Sequence, residues 1–150
     1  MIRHVWSVLC GNSSIDHQTS IISLLNVIEQ LNLVIPKQLE HINVPVPFEV
    51  VSLWASDSIT SLEQGKCRVT FVNPQGVQTI LSLADIKVSA EQNCRTITRS
   101  QMFKLDGQGK YEFIVELQQG ENESWDSVAK VPLQVKYTID KKEIDESSTY

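Results

Sequence analysis

The sequence predicts an all-β fold: two packed antiparallel sheets of about eight strands, with little helix. Three observations predict it. Several segments repeat apolar residues with the two-residue period of a strand, the clearest being Tyr111, Phe113, Val115 and Leu117, which alternate with Lys110, Glu112, Ile114 and Glu116. Turn-forming clusters recur at the roughly 8 to 12-residue spacing of sandwiches and barrels. No long helical stripe interrupts them. Each strand needs its apolar face covered, so strands of this kind imply two stacked layers.

The elements follow in order. In "HVWSVLC", alternation puts His4, Trp6, Val8 and Cys10 on one face and Val5, Ser7 and Leu9 on the other, the pattern of a strand covered on both sides. "GNSSIDHQTS" (11–20) gathers turn formers and reads as a hairpin loop. "SIISLLNVIEQLNLV" (20–34) fits strand alternation through Ile22, Leu24, Asn26 and Ile28 and also a helical spacing through Ile22, Leu25, Ile28 and Glu29. Its β-branched content favours strand. Pro36, Pro45 and Pro47 mark "IPKQLEHINVPVP" as an extended connection along a sheet edge.

"FEVVSLWAS" (48–56) is the next strand, and "KCRVTFV" (66–72) follows as a half-exposed one. "NPQG" has proline second and glycine fourth, as a type I turn prefers, and joins that strand to "QTILSLADIKVS" (78–89). "CRTITRSQMFKL" (94–105) is polar enough to suit a strand open to water, and "DGQG" (106–109) reads as a hairpin loop into "KYEFIVELQ" (110–118). After the turn "QGENES", "WDSVAKVPLQVKYTI" forms the last strand, with Pro132 where it begins or borders solvent. Residues 1–139 read as one domain, and the acidic tail 140–150 is expected to be mobile.

Composition bounds the function. The chain has 150 residues, enough to bury roughly 70% of the surface its unfolded form exposes, so it needs no metal or disulfide to fold. A net charge of −5 with scattered basic residues disfavours nucleic acid, and no apolar stretch approaches a membrane span. The start lacks the h-region and cleavage site of a secretion signal. Three widely separated cysteines, Cys10, Cys67 and Cys94, fit reduced thiols. The expectation is a cytoplasmic protein.

"VWSVLCGNSSID", "SLLNVIEQL", "VPVPFEVVSLW", "RVTFVNPQG", "GKYEFIVEL" and "VAKVPLQVKY" together resemble a family of uncharacterised small bacterial proteins, known as a domain of unknown function. The resemblance spans nearly the whole chain and departs from it in the long polar "VSAEQNCRTITRSQ". It implies an immunoglobulin-like sandwich and almost no function, since sandwiches host many unrelated activities.

The chemistry-bearing residues are sparse. His4, Cys10, His17, His41, Cys67 and Cys94 lack the paired spacing of a zinc site. Cys10 with His17 and Asp16 is the one local trio resembling a nucleophile, base and orienting group, and no nucleophile elbow frames it. Asp106, or Glu121, Glu123 and Asp126, do not alternate as calcium ligands do. A phosphate loop is not encoded.

Trp6 and Trp54 are expected in the core, and Trp125, at a strand entrance, is the candidate binding residue. The reading is a non-enzymatic interaction or accessory module with no cofactor, acting on protein partners and able to self-associate. A lectin-like sandwich using Trp125 is the alternative, and a cysteine enzyme built on Cys10 the third.

Overall fold

The computed structural model describes residues 1–37 and 39–140, and it is all-β. Eleven strands occur among the described residues: β1 (Ile2–Ile15), β2 (Ile22–Val27), β3 (Gln30–Ile35), β4 (Ile42–Val44), β5 (Phe48–Ser56), β6 (Glu63–Val72), β7 (Gln78–Val88), β8 (Cys94–Ser100), β9 (Phe103–Leu105), β10 (Gly109–Gln118) and β11 (Asp126–Ile139). They form a sheet ordered β2-β1-β5-β8, a sheet ordered β3-β11-β10-β6-β7, and a small β4-β9 ribbon. The two larger sheets pack face to face in a sandwich. The expected antiparallel architecture is broken at one place: β3 runs parallel to β11. Of the tail expected to be mobile, 140–150, residues 141–150 lie outside the described residues, and the Asp140 amide donates to the Ile35 carbonyl.

The count exceeds eight because two segments divide and a third gains a short strand. The stretch 20–34 is extended, but as two strands in different sheets. Asn26 takes a left-handed backbone (φ 56°), and the chain leaves the first sheet through Ile28 and Glu29. The proline-rich connection contains β4, which pairs with β9. The stretch 94–105 splits at 101–102 into β8 and β9. The expected hairpin at 106–109 is therefore a corner instead, because β9 pairs with β4 and β10 pairs with β11 and β6.

The loop expected at 11–20 is likewise shorter, since Gly11 through Ile15 continue β1 against β2 and only 16–21 turn. Asp16 makes that turn by accepting from the amides of Gln18 and Thr19. Its short polar residues satisfy the ladder as readily as they would a loop. Pro132 behaves as expected. The Gln134 amide reaches across to Glu29, so residue 132 two places earlier also points to the β3 side, where β3 has not begun.

A bulge corrects the reading of the first strand. His4 pairs with Trp54 and Trp6 with Leu53, so Val5 is the extra residue and the alternation resets behind it. His4 then faces inward with Ser7 and Leu9, while Trp6, Val8 and Cys10 lie on the side of the sheet away from the other layer. His4 meets Trp54 edge-on at 5.3 Å, and its Nε2 lies 2.7 Å from the Ser7 hydroxyl. Trp54 is fully buried, as expected, but Trp6 is only half-buried and lies outside the inter-sheet core.

The core joins Leu9, Phe48, Val50 and Trp54 of one sheet to Val69, Ile86, Tyr111, Phe113, Val115, Leu133 and Val135 of the other. At one end, Phe48 stacks on Phe103 at 4.1 Å and meets Phe113 edge-on at 5.5 Å. β8 does not lie open to water as expected: Thr96 and Thr98 are buried. They face inward because each hydroxyl has a partner. Thr96 accepts from Trp54 Nε1 at 2.9 Å, and Thr98 lies 2.6 Å from the Ser82 hydroxyl on β7, closing one side of the sandwich.

Thr96→Val is nearly isosteric but leaves the buried indole N–H without an acceptor. It should lower unfolding free energy by about 1–3 kcal/mol in urea titration. Burial holds the His4 pKa below its ordinary 6.5, because the fold favours the neutral ring. Above that value the ring is neutral folded or unfolded and contributes no pH dependence. As pH falls through 6.5 the unfolded chain takes up the proton first, and stability declines. The melting temperature should therefore drop between about pH 7 and pH 5, and the drop should shrink in His4→Gln.

Candidate binding cleft

Asp106 is placed by strand register. Ile42 pairs with Leu105 in the β4-β9 ribbon, so one step further His41 stands opposite Asp106. Their side chains meet, His41 Nδ1 lying 2.8 Å from Asp106 Oδ1. The other carboxylate oxygen accepts from Asn73 Nδ2 at 3.0 Å. Asn73 opens the β6–β7 turn and uses its own carbonyl oxygen to accept from the Gln75 and Val77 amides at 3.1 and 2.8 Å. One side chain thus shapes the turn and ties it to Asp106. These hydrogen bonds, Asn73 first and His41 next, hold the Asp106 carboxyl below its ordinary pKa.

A buried tyrosine fixes the corner from beneath. The Tyr111 hydroxyl accepts from the Asp106 amide at 2.7 Å and donates to the Gly107 carbonyl at 2.6 Å. Burial pushes its pKa up to about 12, so it remains a donor at any physiological pH. Gly109 has a φ of 137°, and a Cβ there would lie 3.1 Å from the Pro74 ring. Only glycine combines that backbone with so close an approach to the β6–β7 turn.

Around this corner opens a cleft of about 950 Å³, against about 270 and 360 Å³ for two other hollows. Its polar wall includes Glu40, His41, Asp106 and Gln108, and its apolar wall Ile35, Leu39, Val77 and Ile139. Tyr137 also lines it, with its hydroxyl buried beside the Gly107 backbone. Burial raises the Tyr137 pKa as well. The size suits a small ligand or a few residues of a peptide. No serine, threonine or cysteine is among the described residues that line the cleft.

Of the other residues singled out from sequence, Cys10, Asp16, His17, Cys67 and Trp125 do not line this cleft. Cys10 is fully buried, and burial followed by the nearby Glu49 raises its pKa, the reverse of an activated thiol. From Cys10, β1 runs on to Ile15, roughly 17 Å of extended chain, before the turn holding His17. The trio of Cys10, Asp16 and His17 is therefore not assembled. Cys67 sits in the core with a pKa pushed to about 11, mainly by burial. No group of three potential metal-binding side chains converges among the described residues.

Trp125 is half-buried on the outer side of the five-stranded sheet, with the Arg68 guanidinium 4.3 Å from its ring centroid. Arg68 is in turn paired with Glu116 at 2.8 Å. One ring face is thus occupied by a tethered cation, which leaves less of the indole to stack on a sugar. The sequence offers His41 and Asp106 only as isolated ligands. The signal that joins them is the pairing of β4 with β9, which no local pattern announces.

No helix of the described residues is long and apolar enough to cross a membrane. Neither a family model, nor a curated protein, nor a solved structure matches the chain.

Tyr111→Phe removes one side chain's worth of oxygen and leaves the Asp106 amide and Gly107 carbonyl without their partner. It should cost about 1–3 kcal/mol of stability and speed amide hydrogen exchange at Asp106, while the sheet amides of β5 stay protected.

Proposed function

We propose that this chain is a non-enzymatic, cytoplasmic interaction module on an immunoglobulin-like sandwich, whose cleft receives a short segment of a protein partner. The observation that carries the reading is the carboxylate of Asp106, held in place by His41 and Asn73 beside an apolar wall. A group fixed before the ligand arrives costs little ordering on binding. The Tyr111 hydroxyl, fastened to backbone four and five residues upstream, is in keeping with the corner tyrosine of immunoglobulin-like domains and supports that part of the proposal.

The chemistry of the cleft specifies the segment. Asp106 and Glu40 favour a basic side chain, and Ile35, Leu39, Val77 and Ile139 favour an apolar neighbour beside it. Labelled peptides pairing arginine with leucine or phenylalanine should bind in fluorescence anisotropy, and peptides with aspartate in place of arginine should not. Asp106→Asn keeps the shape and loses the charge, so affinity should fall about tenfold or more, the worth of a charge-assisted hydrogen bond. Trp125→Ala should leave it unchanged. Equal binding to the wild type and Asp106→Asn would refute the assignment.

A further inference from the structure

The sheet edges of this molecule are not equally defended. β7 and β8 lie against each other through Ser82 and Thr98, and carry Asp85, Lys87, Arg95 and Arg99. β2 is kinked at Asn26, and β4 and β9 are only 3 residues long each. Charges, kinks and very short strands are the devices that stop an edge from pairing with another chain. β3 has none of them within Gln30–Ile35. It pairs with β11 on one side and with no strand of the described residues on the other.

Its hydrogen-bonding groups can be assigned. The Glu29 and Ile35 carbonyls accept from the amides of Gln134 and Asp140, so the odd-numbered residues of this strand point their backbone groups at β11. The even-numbered residues, Gln30, Asn32 and Val34, turn theirs to the open edge. Leu31, Leu33 and Ile35 face the core, and Val34 is 70% exposed on the opposite face.

We propose that β3 pairs antiparallel with β3 of a second copy of this chain, joining the two five-stranded sheets into one across a two-fold axis at Asn32. In that register Asn32 meets Asn32, Gln30 meets Val34, and Leu31 meets Leu33, so every open donor and acceptor of the three even residues finds a partner. Inward residues oppose inward residues, which keeps both faces continuous. The flanking charges select this occupant. Glu29 precedes the strand and Lys37 follows it, both exposed, with no charge between. Antiparallel self-pairing brings the Glu29 end of each copy's strand alongside the Lys37 end of the other, opposite charges at both ends at once. Parallel pairing would put Glu29 against Glu29. One short strand pair is a small interface, so a micromolar dimer is expected.

Sedimentation equilibrium of the full chain, from micromolar to millimolar, tests this apart from the cleft, since neither Glu29 nor Lys37 lines it. The expected particle is twice the 16.9 kDa monomer. Asn32→Lys places like charges on the axis and should give monomer, as should Val34→Lys, with circular dichroism unchanged in both. Glu29→Lys should raise the dimer dissociation constant about tenfold, and the double variant Glu29→Lys with Lys37→Glu should restore it. A monomer at every concentration, a dimer indifferent to both lysine variants, or a charge swap that fails to restore association would each overturn the proposal.

Discussion

Phe48 lies between Phe103 of the ribbon and Phe113 of the opposite sheet, and the geometry of this end of the molecule follows from keeping that contact dry. Phe71 extends the cluster to Phe113 at 4.7 Å and to Tyr111 at 5.3 Å. Three strands, β5, β6 and β10, and the β4–β9 ribbon must converge to bury these rings. Their connecting turns are therefore brought together just above, and the cleft is the space those turns leave. The apolar layer decides where the loops meet, and the hydrogen bonds of Asp106 decide how they are held.

Several polar groups enter the interior in pairs. Trp54 with Thr96, and Ser82 with Thr98, place hydroxyls where an alternation argument expects either hydrocarbon or water. Ser7 and Ser52 do the same beside His4, 2.6 Å apart across adjacent strands. On the outer side of the same sheet, Glu49 is 6% exposed and bonds to Ser13 and Arg99. A buried hydroxyl or carboxylate with a partner costs little, whereas one without is expensive.

The strand of Tyr111, Phe113, Val115 and Leu117 was legible from its residues because its period is local, and so was the turn at 73–76. Other features depended on partners far along the chain. The threonines of β8 look like a wet face until Trp54 and Ser82 are placed opposite them. Cys10 and His4 look like neighbours on one face until the bulge at Val5 separates them. His41 and Asp106, 65 residues apart, become a pair only through a three-residue ribbon.

The sequence by itself determined that this is an all-β chain, and it located most of the strands and turns, because alternation and turn chemistry act between residues a few positions apart. Tertiary structure alone decided that 22–35 would be shared between two sheets, that β3 would run parallel to β11, and that Asp106 would be gripped from two other turns. Those outcomes are set by cross-strand register and by which buried polar group finds which partner. Such choices balance contacts distant in sequence, and no local pattern of residues records them.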